Sequence, residues 1–294
     1  MNGLTNYITE LPWMEIIIAW YVLVDDGYQH LLAKRGRPLR SSGPEPSFTD
    51  SEVITVALVI ETFFQGHEDV GYAFVAQYHR DLFPKLVDLD RFNLRRRELI
   101  AVIEAIRRDL RDQKLVRTDP VRLVDSAPVA LMTYSRGVRC RSVIGNQYFG
   151  VVTSKKGKVF GLRLHVTTTV DQLIDEWLLA PSSVPDLQVL DALVSDSRDL
   201  ILIADKAYTD AGAEDRLWQT RHIQLLPLRR QNQKTQWPDD VRRILGCIRH
   251  RVETVFSTLT TVFNVERPRG RTLAGHVVRV ATCILAHTLS FFLA

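Results

Sequence analysis

Cysteine is scarce. Cys140, Cys247 and Cys283 are the three in 294 residues, odd in number and widely separated, and no Cys-x-x-Cys pair occurs. This excludes a disulfide framework and a zinc ribbon, and it fits a reducing cytoplasm. The chain also has no Gly-x-Ser-x-Gly elbow, no His-Glu-x-x-His, no Gly-x-Gly-x-x-Gly and no complete phosphate-binding loop. Several hydrolase, zinc-protease and nucleotide-binding readings fall with them. The start lacks a basic segment followed by a cleavage site, so no signal peptide is expected. Long apolar runs are missing too. Met14 to Val24 is too short to span a bilayer and contains Glu15, while Val277 to Ala294 contains Arg279 and His287 and reads as a buried helix. No membrane partner is expected.

Acidic residues are absent from two stretches. Ser126 to Val170 has none and carries Arg136, Arg139, Arg141, Lys155, Lys156, Lys158 and Arg163; Arg216 to Pro238 has none and carries Arg216, Arg221, Arg229, Arg230 and Lys234. The formal net charge of +4 neither demands nor excludes a polyanion, but local basic surfaces attract one and release its counterions on binding. With 46% hydrophobic residues, the chain can form one large packed domain or two ordinary ones.

The segment Lys34 to Pro46 (KRGRPLRSSGPEP) reads as a linker. Thr49-Asp50-Ser51-Glu52 is a capping box that launches a helix to about Phe63, and another helix begins near Phe92 with Leu99, Ile103, Ile106 and Leu110 at helical spacing. Residues 1–115 thus form an all-helical N-terminal domain. After Thr118 the pattern changes. Val121 to Val124 is a short strand ending on Asp125; Tyr148 to Thr153 and Val159 to Thr169 are strands joined by Lys155 to Lys158. Asp186 caps a helix to Leu193, Leu200 to Ala204 is a buried strand stopping at Asp205, and Ala211 to Gln219 is a helix. A strand at Ile223 to Leu228 follows. A long helix then opens at Asp239 or Asp240 with an apolar face of Ile244, Ile248, Val252, Val255, Leu259 and Val262. Three strands, helix, strand, helix, strand, helix is the order of an α/β, ribonuclease H-like mixed sheet flanked by helices, assigned to residues 116–294.

Asp125 and Asp205 fall where apolar strands end, the side of an α/β sheet at which ligands usually bind. Glu253 lies mid-helix, one residue and about 100° from Val252 on the core stripe, where it can point towards the sheet edge. Three carboxylates in that arrangement can hold two Mg²⁺ ions, one activating the attacking oxygen and one stabilising the leaving oxygen. The plainer reading makes each Asp a cap or turn former and Glu253 the partner of Arg249, four residues earlier. Asp186 rivals Asp205 but suits a cap.

Val124-Asp125-Ser126-Ala127-Pro128-Val129, Phe160 to His165, Ala204-Asp205-Lys206-Ala207-Tyr208 and Arg249 to Phe256 together resemble the blocks of bacterial insertion-sequence transposases of the DDE type. The similarity covers about residues 120–290, with a weaker echo in Phe48 to Val53. It implies a metal-dependent DNA transposase in which Asp125, Asp205 and Glu253 are catalytic and hold two Mg²⁺, with Mn²⁺ able to substitute. Such an enzyme cleaves element ends and joins the freed 3′-hydroxyl to target DNA. Its partners would be the terminal inverted repeats, target duplex and a second copy of the chain, and its place the cytoplasm, at the nucleoid. The helical domain would bind element ends or mediate dimerisation. Some relatives carry Tyr, Arg, Glu and Lys on the last helix. Arg249 and Glu253 match that spacing, whereas Gly246 and Thr260 stand at the Tyr and Lys positions.

DNA contacts are expected from Arg136, Arg139, Arg141, Lys155, Lys156, Lys158, Lys206, Arg229, Arg230, Arg249 and Arg251, the last two as guanidinium forks on phosphate. His165, on an alternating strand, is more often structural than catalytic. Trp237 is either a packed loop anchor or a platform for an unpaired base. Arg267, Arg269 and Arg271 line DNA or solvate a turn. Two alternatives stand beside transposition: a ribonuclease H-like metal-dependent nuclease without strand transfer, and a non-catalytic DNA-binding protein that keeps the fold.

Overall fold

The computed structural model describes residues 12–36, 44, 46–115, 120–152, 157–229, 233 and 236–293. The expected linker at Lys34 to Pro46 falls largely outside them. The chain divides into two compact units, residues 1–114 with 259–294, and residues 115–258. The first dividing point lies beside the 115/116 boundary read from the sequence. The second does not, because the C-terminal helix groups with the N-terminal helices and not with the sheet.

The helical unit contains α1 (Trp13–Arg35), α2 (Asp50–Phe63), α3 (Glu68–Tyr78), α4 (Leu89–Glu98), α5 (Ile100–Leu115) and α9 (Leu273–Leu293). Its centre is α2, whose run Ile54, Val56, Ala57, Leu58, Val59 and Ile60 is fully buried, as an all-round apolar helix must be. The capping box forms: the Thr49 hydroxyl accepts from the Glu52 amide at 3.2 Å and the Glu52 carboxylate accepts from the Thr49 amide at 2.5 Å. The single helix expected from Phe92 is two, interrupted at Leu99, yet Leu99, Ile103, Ile106 and Leu110 are all buried. The α1 stretch that includes Met14 to Val24 buries Ile16, Ile17, Trp20 and Val24. Although α9 is long and apolar enough to cross a membrane, most of it is buried against α2, α4 and α1. Arg279 ties it to buried Glu61 of α2 at 3.1 Å, and the same carboxylate accepts from Arg96 of α4. Charges out of water need such pairing.

The second unit holds a six-stranded mixed sheet: β1 (Val121–Met132), β2 (Phe149–Val152), β3 (Gly157–Thr169), β4 (Ile174–Pro181), β5 (Ile201–Ala204) and β6 (Gln224–Pro227). Its order is β2-β3-β1-β5-β6, with β4 also paired to β3. Strands β1 to β4 pair antiparallel and β1, β5 and β6 parallel, in the ribonuclease H-like manner. Helices α6 (Asp186–Leu193), α7 (Ala211–Arg221) and α8 (Asp239–Thr261) accompany it. One face buries Val124, Leu202, Ala204 and Leu225 against Leu190 and Leu193 of α6, Leu217 of α7 and Tyr208.

Three expectations need correction here. The sheet has four strands, not three, before its first helix. The missed β4 (IDEWLLAP) lacks alternation because its acids are inside: Asp175 pairs with Arg122 at 2.6 Å and the Glu176 amide donates to the Thr167 hydroxyl. Strand β1 does not end at Asp125 but continues to Met132 along β3; only its pairing with β5 stops at Val124. On α8, Leu245 and not Ile244 begins the buried stripe with Val252, Val255 and Leu259, leaving Ile244 54% exposed. At β3, Gly161 has φ 153°, and a Cβ there would lie 2.2 Å from the Val129 carbonyl oxygen. It sits where the β1–β3 register shifts, a bulge that only glycine accommodates.

Candidate active site

Parallel pairing of β1 with β5 sets Val124 beside Ala204, so the next residues, Asp125 and Asp205, stand side by side where the two strands part. Alternation turns Asp125 to the face opposite Val124, away from the α6–α7 core. On that face α8 supplies Arg249. Its guanidinium reaches the Asp125 carboxylate at 3.3 Å and, through the other terminal nitrogen, Glu253 at 3.4 Å. Glu253 is exposed and is also held by His250 Nδ1 at 2.9 Å. Asp205 caps the short turn Lys206–Tyr208, accepting from the Ala207 amide at 2.6 Å.

The electrostatics follow from burial. Loss of water pushes the Asp125 carboxyl from 3.8 up to about 6, the neighbouring Asp205 charge adds to this, and the Ser126 amide and Arg249 oppose it. Among the described residues no group of three His, Cys, Asp or Glu side chains lies close enough to hold a metal ion. Asp125 and Asp205 nevertheless fit a hard divalent cation as a pair. They are adjacent oxygen donors whose mutual repulsion a cation would relieve, and Mg²⁺ takes only one or two carboxylates. Glu253 is joined to them through Arg249.

A second polar cluster lies behind this pair. Asp186 is not the helix cap expected of it: Pro185 precedes α6 without a side-chain cap, and Asp186 is the first helical residue. Its carboxylate accepts from the Ser126 hydroxyl at 3.0 Å and from Arg163 at 2.8 Å. The signal for this was Arg163, an arginine on a strand otherwise buried from Val159 to Thr169. His165, opposite Ser126, is fully buried, and burial takes its pKa down to about 4, so it is neutral. The buried Tyr208 hydroxyl has its pKa raised, first by burial and then by Asp186, Asp125 and Asp205.

The basic candidates divide. Arg136, Arg139, Arg141 and Lys158 are exposed around the turn Tyr134–Arg139, with the Lys158 ammonium 5.5 Å from the Tyr134 ring centre. Lys206 and Arg251 are exposed, Arg251 donating to the Val170 carbonyl at 3.3 Å. Arg229 is committed elsewhere: both terminal nitrogens meet Glu214, at 2.8 and 2.6 Å, and the guanidinium lies 5.1 Å over Trp237. Trp237 in turn donates to the Pro227 carbonyl at 2.8 Å, as a loop anchor does. Lys155, Lys156 and Arg230 lie outside the described residues.

A family model described as a transposase DDE domain matches residues 116–289, more than half of the chain. No curated protein and no solved structure matches it. The family acts on DNA and is generally dependent on divalent metal. By that match over residues 116–289, which takes in both aspartates and Glu253, the chain belongs to the transposase DDE domain family and is a nucleic-acid-processing enzyme.

Proposed function

We propose that this protein is a DNA transposase that cleaves the ends of its element and joins the freed 3′-hydroxyl to target DNA, using Asp125, Asp205 and Glu253. The observation that supports this most is the register of β1 on β5, which sets two carboxylates side by side in a family of DNA transposases. Two Mg²⁺ ions, or Mn²⁺ in their place, would be held by Asp125 and Asp205 with Glu253 and would supply an activated attacking oxygen and a stabilised leaving oxygen.

The chain's own side chains do the rest. Asp205 is oriented by the Ala207 amide, and Asp125 by the Ser126 amide. Arg249 stands between Asp125 and Glu253, where a guanidinium offers two donors to a scissile phosphate. Arg136, Arg139, Arg141 and Lys158 would hold the backbone beyond the site, Lys206 and Arg251 nearer to it. The duplex substrates are the element's terminal inverted repeats and a target, processed by a homodimer at the nucleoid. Lys155, Lys156 and Arg230 would extend the basic surface, and Arg229 would contribute through its placement of Trp237.

Incubation of the full chain with a duplex carrying an element end, target DNA and Mg²⁺ tests this reading. Joined products support it. Cleavage without joining assigns a nuclease, and binding with neither assigns a non-catalytic DNA-binding protein.

A further inference from the structure

Within the helical unit the N-terminal ends of α3, α4 and α9 border one cavity of about 590 Å³. Five arginines and three acids line it. Two of the arginines are spent on structure: Arg96 and Arg279 hold the buried Glu61, and Arg96 also reaches Glu68 at 3.4 Å. The acids sit in the first turns of α3 and α4, where they meet the positive ends of their own helices. Arg97, Arg269 and Arg271 are different. None forms an ion pair among the described residues, and Arg269 and Arg271 are exposed. Arg96, only 2% exposed in its side chain, has an Nε with no hydrogen-bond partner among the described residues. The first turn of α9 carries no acid, and its Gly275 amide donates to the Thr272 hydroxyl at 3.0 Å.

A cavity that gathers three guanidiniums without ion pairs beside one acid-free helix N-terminus is complementary to an oxyanion. In a family that acts on DNA, the polyanion at hand is the duplex backbone. We infer that the cavity is a phosphate-backbone site of the helical unit, with Arg97, Arg269 and Arg271 contacting successive phosphodiesters of bound DNA. Contacts of this kind hold the duplex without reading bases, so they add affinity for every sequence alike. The inference rests on the reading of the chain as a DNA transposase, but not on the metal chemistry of Asp125 and Asp205.

The test is duplex binding by the full chain, followed by fluorescence anisotropy against salt concentration, for R97A/R269A/R271A and R97K/R269K/R271K. Each lost phosphate contact lowers the slope of log affinity on log salt by about 0.9. The alanine variant should lose roughly 2 to 3 in slope and at least about tenfold in affinity, and the lysine variant should keep most of both. An unchanged slope in an alanine variant that melts like the parent overturns the inference. If the alanine variant does not fold, Arg269→Glu alone decides, because that side chain is exposed: undiminished binding overturns it. Inorganic phosphate is the second probe. Calorimetric binding of phosphate by the parent but not by R97A/R269A/R271A, with duplex affinity equal in both, would make this a small-anion site and also overturn it. Asp125→Asn separates the two readings, since it tests cleavage and leaves this cavity intact.

Discussion

Asp125 carries opposing influences: burial and Asp205 raise its pKa to about 6, and the Ser126 amide and Arg249 restrain it. A proton and a divalent cation compete for such a carboxylate. Mn²⁺ affinity, measured by calorimetry, should therefore be constant above pH 6 and fall about tenfold per unit below it. Arg249→Gln removes an opposing positive charge, so the point at which affinity falls should move to higher pH; a move to lower pH would contradict the assigned contact. Asp205 was legible as a strand-end acid, whereas Asp125 lies within β1 at the point where only its pairing with β5 stops. The arginine's dual role was only half legible, because spacing pairs Arg249 with Glu253 but does not reveal Asp125, 124 residues away. Asp186 was misread for the same reason. A cap is a local inference, and its partners Ser126 and Arg163 come from other strands.

Among the elements, β3 depends on one backbone conformation. Gly161→Ala places a Cβ 2.2 Å from the Val129 carbonyl at φ 153° and should cost about 1–3 kcal/mol in chemical denaturation. An unaltered midpoint would mean the bulge relaxes freely. Helix α9 gives a pH-dependent case. Burial lowers the His276 and His287 pKa values from 6.5 to about 4, so the fold prefers the neutral rings. Their contribution to stability is complete above pH 6.5 and is lost as pH falls from there through 4, up to about 3 kcal/mol for the fully buried His287. His287→Leu should flatten thermal melting against pH across that window, and an equally steep profile would contradict the assignment. Elements whose signals are local were readable, as the capping box of α2 shows. Strand β4 was not, since its buried Asp175 finds Arg122 only 53 residues away. On α8 the choice between Ile244 and Leu245 turns on a rotation of about 100°, which apolar character alone does not fix.

For the whole molecule, the order of strands and helices carried the ribonuclease H-like fold, and the order of the acidic blocks carried the family. The grouping of the C-terminal helix with the first five was not readable. It depends on Arg279 meeting Glu61 across 218 residues, and charges in an apolar helix do not name their partners. Arg279→Leu leaves Glu61 with less compensation and should destabilise the helical unit by roughly 3–5 kcal/mol, seen as an earlier helical melting transition. A chain ending at Thr258 should lose that transition altogether, whereas a helical unit confined to residues 1–114 would keep it.

Asp125 and Asp205 are expected to act as one metal-dependent site. Its most direct measurement is cleavage of a labelled element-end duplex in Mg²⁺ by Asp125→Asn beside the parent, with duplex binding followed in parallel. Cleavage should fall by at least about a thousandfold while binding stays within a few-fold. Undiminished cleavage by Asp125→Asn would contradict the site.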